Sequence, residues 1–125
     1  MKTTIYSQHY EHTQWLNKLA FYNDEISVMQ KRLEEISSKN TSKDVRMQIE
    51  HFQNQLIIQQ NNTDSLKRHI KHDEKFLTNS IKKNPTAVDH RNTEDHFVER
   101  ENMDAFEDNF NKLRKEFNLF LAQWM

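Results

Sequence analysis

The chain has 125 residues, with 18 basic and 19 acidic side chains, and it contains neither glycine nor cysteine. This length predicts a single domain, and a formal charge of −1 provides no global field for nucleic acid or an anionic membrane. Without glycine, phosphate-cradling glycine loops are excluded. Without cysteine, disulfides, thiolate metal sites and cysteine nucleophiles are excluded. Residues 1–9 lack the apolar core of a signal peptide, and no apolar run is long enough to predict a membrane span. We therefore expect a cytoplasmic protein.

The first helix is predicted over residues 5–38, because apolar side chains recur there at alternating spacings of three and four. Two polar residues, Gln8 and His12, fall on the same stripe. Its apolar members are Ile5, Trp15, Leu19, Tyr22, Ile26, Met29, Leu33 and Ile36. The pattern breaks after Ser38, and Thr41 or Ser42 is a candidate N-cap for the next helix.

The second and third helices are predicted over residues 43–83 and 85–124, with Asn84 as N-cap and Pro85 at the first helical position. The second stripe consists of Val45, Ile49, Phe52, Leu56, Leu66, Ile70 and Leu77, with Gln59, Thr63 and Asp73 at its polar positions. The third consists of His96, Glu99, Met103, Phe106, Phe110, Leu113, Phe117, Phe120 and Trp124. Because the connecting loops are short, the sequence predicts an all-α, antiparallel up-down-up three-helix bundle.

A second group of apolar residues lies off these stripes. Its members are Leu16, Phe21, Val28, Met47, Ile57, Ile58, Val98, Leu119 and Leu121. Either each helix buries a face wider than its stripe, or the uncovered residues form the interface of a homodimer. The sequence leaves both alternatives open.

Hairpin geometry places residues at the same level of the bundle when their numbers sum to about 82 across the first turn and about 170 across the second. This map puts His12, Asp73, His96 and Glu99 in one layer, with His69 one turn away. Imidazoles and carboxylates converging from different helices are ligands for zinc, iron or manganese, so these five residues form a candidate metal site. Six of the seven histidines fall in this half of the bundle: His9, His12, His69, His72, His90 and His96.

Two other interpretations of this layer remain open. In the first, the imidazoles pair with Asp73 and Glu99 in a buried hydrogen-bond network that fixes helix register. Alternatively, the surrounding cations form an anion site, although such charges are usually a solvated face. The cations are Lys67, Arg68, Lys71, Arg91 and Arg100. Glu11 and Glu25 are interpreted as ordinary surface charge, and His51 as solvent-facing.

The sequence contains no nucleophile paired with a base and an orienting acid, so we expect a protein that is not an enzyme. The leading hypothesis is a helical bundle that acts by association, with itself as a homodimer or with a protein partner, because surplus apolar residues lie off the stripes. The alternative hypothesis is a divalent-metal-binding bundle that uses the His and carboxylate layer. We expect neither a nucleic-acid nor a membrane partner.

Overall fold

The computed structural model describes residues 5–83 and 90–125. Three helices contain nearly all of these residues: α1 (Ile5–Lys39), α2 (Lys43–Lys83) and α3 (His90–Trp124), and no strand occurs in the described ranges. The predicted all-α three-helix architecture is confirmed. The predicted bounds of the first two helices nearly coincide with the observed ones, whereas the predicted start of the third helix at Asn84 and Pro85 lies outside the described residues. None of the described helices is both long and apolar enough to cross a membrane.

The turn between α1 and α2 is closed without glycine. The backbone N–H and the side-chain amide of Asn40 both donate to the carbonyl of Ile36, at 3.0 Å each, and so satisfy a carbonyl at the end of α1. The carbonyl of Ser42 accepts the first backbone hydrogen bond of α2 from Arg46 at 3.1 Å, which agrees with its predicted position as N-cap. No described residue has a positive φ, so this turn does not require glycine.

The three apolar stripes form one continuous core. Most of their apolar members are buried, and Ile5, Tyr22, Leu66 and Trp124 are half-buried, the last three against the margin of the core. The polar positions Gln8, His12, Gln59, Thr63, His96 and Glu99 are also buried, as their place on the stripes predicts. The spacing of apolar residues therefore identifies the inward face of each helix correctly.

Side-chain contacts between the helices confirm the predicted directions. Asn23 on α1 accepts a hydrogen bond from Gln60 on α2 at 3.1 Å, which is the antiparallel level that the map of residue numbers predicts. Phe52 on α2 packs against Phe117 and Phe120 on α3, with ring centres 5.4 and 4.9 Å apart. Helix α3 therefore returns parallel to α1 and antiparallel to α2.

Three ion pairs join α1 to α3 at successive heptads, and we call them the α1–α3 charge ladder. Its rungs are Glu11–Arg100, Lys18–Glu107 and Glu25–Arg114. The partners in the first and last rungs are each 89 residues apart, as expected for parallel helices in constant register. The sign of the charge alternates along each helix, so a slip by one heptad sets like charges against each other. The interpretation of Glu11 and Glu25 as ordinary surface charge is therefore wrong.

The two alternatives for the off-stripe apolar residues are partly resolved. Leu16 and Leu121 pack against the core, but the remaining members of the group are exposed. Those exposed residues are Phe21, Val28, Met47, Ile57, Ile58, Val98 and Leu119. A wider buried face is thus the wrong explanation for most of the group, and these side chains remain available for contacts with another molecule.

Candidate functional site

The end of the bundle away from the α1–α2 turn contains the layer of buried polar side chains that the sequence predicts. His12 on α1 and His96 on α3 are each 2 % exposed, and their ring centres lie 5.1 Å apart. Trp15, one turn along α1, stacks on the His96 ring with centres 5.0 Å apart and planes inclined by 24°. The two imidazoles are therefore held in contact by α1 and α3 and screened from water by an indole.

His12 is oriented by a carboxylate from α2. Its Nδ1 donates to Oε2 of Glu74 at 2.5 Å, while the other oxygen of Glu74 accepts a hydrogen bond from the exposed His9. Burial raises the pKa of Glu74, but the hydrogen bonds from the two histidines outweigh this effect and the net pKa is lowered. Glu74 is therefore an ionised acceptor that ties α2 to α1.

His96 is oriented in the same way by a carboxylate from α1. Its Nε2 donates to Oε1 of Glu11 at 3.1 Å, and Arg100 donates to both oxygens of that carboxylate, with the Nε contact at 3.0 Å. The hydrogen bond from Arg100, together with that from His96, lowers the pKa of Glu11 against the opposing effect of burial. Desolvation lowers the pKa of His96 despite its acidic partner, which favours the neutral imidazole.

Asp73 and Glu99 form a carboxyl pair between α2 and α3. Glu99 is buried and Asp73 is half-buried. Burial, a hydrogen bond with Asp73 and the negative charges of Asp73 and Asp95 raise the pKa of Glu99 to about 8. At neutral pH the Glu99 carboxyl therefore keeps its proton and donates a hydrogen bond to Asp73.

The structure thus divides the predicted ligand set into two pairs. His12 lies next to His96, and Asp73 lies next to Glu99, whereas His69 is exposed on α2. Within residues 5–83 and 90–125, no group of three or more histidine and acidic side chains is already close enough to hold a metal ion. The predicted network has the wrong pairs, because the imidazoles bond to Glu74 and Glu11 and the two predicted carboxylates bond to each other.

The predicted cation cluster is also divided. Lys67, Arg68 and Lys71 are exposed and line a shallow depression on α2 with Asn61 and Asp64. Arg100, in contrast, is paired with Glu11, and the side chain of Arg91 lies outside the described residues. The first three cations form a solvated face, as was expected for such charges, and His51 is exposed as predicted.

Sequence reasoning missed the two carboxylates that orient the histidines. Glu11 and Glu74 lie just beside the apolar stripes, where acidic residues usually face water. For Glu11, the available signal is the alternation of charge at heptad spacing on the first and third helices, which pairs it with Arg100. For Glu74, the map of residue numbers places both Asp73 and Glu74 at the level of His12. It does not determine which of the two side chains points toward α1.

A cavity of about 200 Å³ lies against this layer, and its wall includes His12, His96, Asp73 and Asp95. A larger open groove of about 590 Å³ runs beside it between α2 and α3. We call this larger feature the α2–α3 groove. Asp73, Asp95 and Glu99 lie at one end of it, and the rest of its lining carries no formal charge apart from the titratable His69. That remaining lining consists of Asn62, Ser65, Leu66, Val98, Asn102, Ala105, Phe106 and Asn109.

The side chains at this end of the bundle thus form two carboxylate–histidine couples, a carboxyl pair and an adjoining groove. Compared with models of protein families, with curated proteins and with solved structures, the chain has no significant match in any of the three.

Proposed function

We propose that this protein acts by association, and that the α2–α3 groove binds a helix from a second copy of the chain. The observation that carries the proposal is the nature of the groove lining. In a chain with 30 % charged residues, most of an open interhelical groove is lined by small, amide or apolar side chains. None of the lining residues that the structure describes is a lysine or arginine.

The shape of the bundle supports the same surface. The packing between α2 and α3 is looser than the packing between α1 and α2. The groove therefore stays open along the face that α2 and α3 share. Ser65 and Ala105 lie on opposite walls, and small side chains at such positions allow another helix to approach closely. Val98 on the rim is 52 % exposed, and an incoming helix would cover it.

A symmetric dimer is the simplest assembly for such a surface. In a twofold arrangement each copy presents the same groove and rim, so one set of residues serves as both receptor and insert. Asn62, Asn102 and Asn109 provide amides that can bond across the interface, and polar seam residues of this kind select a partner and a register. The proposed function is thus that of a helical association module rather than of an enzyme.

The test is the molar mass of the protein in solution, measured by light scattering during size-exclusion chromatography over a range of concentrations. We expect a dimer that dissociates on dilution. Ala105→Glu places a charge in the groove and should give a monomer. Ala122→Glu makes the same change at an exposed position of the same helix and should leave the dimer intact.

Two results would overturn this proposal. A wild-type protein that stays monomeric at the highest concentration reached excludes self-association. Equal effects of Ala105→Glu and Ala122→Glu would show that any dimer uses another surface. If the wild type is monomeric, a protein captured from an extract by the wild type and Ala122→Glu, but not by Ala105→Glu, would identify the groove as a site for a different partner.

A further inference from the structure

Within the part of the chain that the structure describes, two buried nitrogen atoms of the histidine pair have no hydrogen-bond partner. They are Nε2 of His12 and Nδ1 of His96. A buried polar atom without a partner is costly, and native structures contain few of them. Here two occur on adjacent rings that line the same cavity. A ligand shared by the two nitrogens would give both of them a partner.

The remaining nitrogen of each ring determines what kind of ligand fits. Nδ1 of His12 faces the Glu74 carboxylate, and Nε2 of His96 faces the Glu11 carboxylate. A carboxylate only accepts hydrogen bonds, so these two nitrogens carry the protons. In the neutral rings, the unpartnered nitrogens then carry lone pairs. A carboxylate on the far nitrogen, which fixes the tautomer and increases the basicity of the ring, is the arrangement that metal-binding histidines use.

The distance between the rings also fits a metal ion. Two imidazoles on one tetrahedral ion, with nitrogen–metal bonds of about 2.0–2.1 Å, have ring centres about 5 Å apart. The observed separation is 5.1 Å, with the planes inclined by 59°. Both backbones are helical, and Trp15 stacks on His96, so this spacing is set by the packing of α1 and α3.

We infer that Nε2 of His12 and Nδ1 of His96 bind one divalent transition-metal ion, with zinc as the expected ion. The cavity wall contains two carboxylates, of Asp73 and Asp95, from which a third ligand is drawn by side-chain rotation. Water completes the tetrahedron. The inference replaces the predicted set of five ligands with a core of two histidines, each held by its own carboxylate. It does not rest on the proposed association. The cavity and the α2–α3 groove share Asp73 and Asp95, but the histidines changed to test the metal site, His12 and His96, do not line the groove.

The first test is calorimetric titration of untagged, chelator-treated protein with zinc, together with the visible absorption spectrum of the cobalt(II) form. We expect one ion per chain, with a dissociation constant of about 1 µM or tighter, and the intense absorption of tetrahedral cobalt. His12→Gln and His96→Gln should each abolish both signals. His51→Gln, at an exposed histidine in the other half of the bundle, should change neither.

Because replacing a buried histidine can unfold the bundle, a second pair of variants tests the orienting carboxylates instead. Glu74→Gln and Glu11→Gln keep an oxygen that accepts from the imidazole but remove its charge. We expect each to weaken zinc binding about 10- to 100-fold while both ligands stay in place. Glu101→Gln, at an exposed position on α3, should leave the affinity unchanged.

An indole near the site provides an independent signal. The chain has two tryptophans, and Trp124 lies at the opposite end of the bundle, so Trp124→Phe leaves Trp15 as the only one. In that background, copper(II) or nickel(II) bound by the histidine pair should quench the fluorescence of Trp15. Zinc should prevent this quenching by competition.

Several results would overturn the inference. They are zinc binding weaker than about 100 µM, an octahedral cobalt spectrum, or binding that persists in folded His12→Gln and His96→Gln. Failure of the glutamine variants at Glu11 and Glu74 to weaken binding would overturn the part of the inference that assigns each histidine an orienting carboxylate.

Discussion

The two ends of this bundle fill their interiors with different kinds of side chain. Near the α1–α2 turn, the core consists of apolar side chains from all three helices, including a contact between Phe52, Phe117 and Phe120. At the other end, His12 and His96 occupy the equivalent inward positions and bond to carboxylates on neighbouring helices. Apolar burial is non-directional, whereas a hydrogen bond requires a matched donor and acceptor. The apolar end therefore provides stability, and the polar end specifies which residues meet.

The polar end carries a cost that the apolar end avoids. Burying an imidazole or carboxyl removes it from water, and its bonds within the protein only partly offset that loss. The raised pKa of Glu99 and the lowered pKa of His96 both express this penalty. We propose that the groups at this end bind a metal ion at the histidines and a second copy of the chain at the groove.

The largest effect is expected from truncating the aromatic end. Phe117 is 1 % exposed, and Phe117→Ala should reduce the free energy of unfolding by about 3–5 kcal/mol through lost burial and a residual cavity. Urea unfolding followed by circular dichroism measures this change. Leu119→Ala removes a side chain that is 74 % exposed on the same helix and should change stability by about 0.5 kcal/mol or less. Similar losses in the two variants would contradict the position of the core.

A smaller effect, with a distinctive pH dependence, is expected at the polar end. The pKa of Glu99 is about 8 in the folded protein and near 4.5 in the unfolded chain. Between these values the folded state holds a proton that the unfolded state has lost, so this group lowers stability as the pH rises from about 4.5 to about 8. Below pH 4.5 the Glu99 carboxyl has no effect on stability, and above pH 8 its destabilising effect is constant.

Glu99→Gln removes this titration and retains an amide that can donate to Asp73. In chelator-containing buffer, the melting temperature of the variant should therefore equal that of the wild type near pH 4.5 and exceed it increasingly up to pH 8. Glu101→Gln is the exposed control on the same helix. A difference between Glu99→Gln and wild type that does not grow with pH would show that Glu99 titrates normally.

The sequence predicts the inward face of each helix and the level at which its residues meet. Spacing of three and four was sufficient for this, because each helix buries a single stripe. His12 and His96 meet for that reason, and Asp73 and Glu99 do as well. Association and metal binding stay predictions, which the variants in the groove and at the histidine pair test.

The identity of the hydrogen-bond partners was harder to predict. Asp73 and Glu74 are adjacent on α2 and point about 100° apart around its axis, so the rotation of the helix decides which one reaches α1. Periodicity does not resolve such a rotation, because it is set by the volumes of all the side chains that pack between the helices. For this reason Glu74, rather than Asp73, orients His12. The partner of Glu11 is easier to predict from the sequence, because opposite charges recur at heptad spacing on the first and third helices.

The smallest predicted effect tests how the α1–α3 charge ladder connects the two ends. Exchanging charges in its middle rung, with Lys18→Glu and Glu107→Lys together, should restore most of the stability that either change removes alone. Exposed or half-exposed pairs of this kind contribute about 0.2–1 kcal/mol, and a double-mutant cycle isolates that term.

The same exchange in the last rung should recover less. Arg114 pairs with Glu25 and also lies over the rings of Phe110 and Tyr22, at 5.0 and 5.8 Å from their centres. Glu25→Arg with Arg114→Glu restores opposite charges but places a carboxylate over the aromatic faces, where a cation is favoured. Equal recovery in both rungs would show that the rings do not contribute. Lower recovery in the last rung would show that the ladder is part of the aromatic packing at that level. At its first rung, Glu11 instead joins the ladder to the histidine layer through its contact with His96.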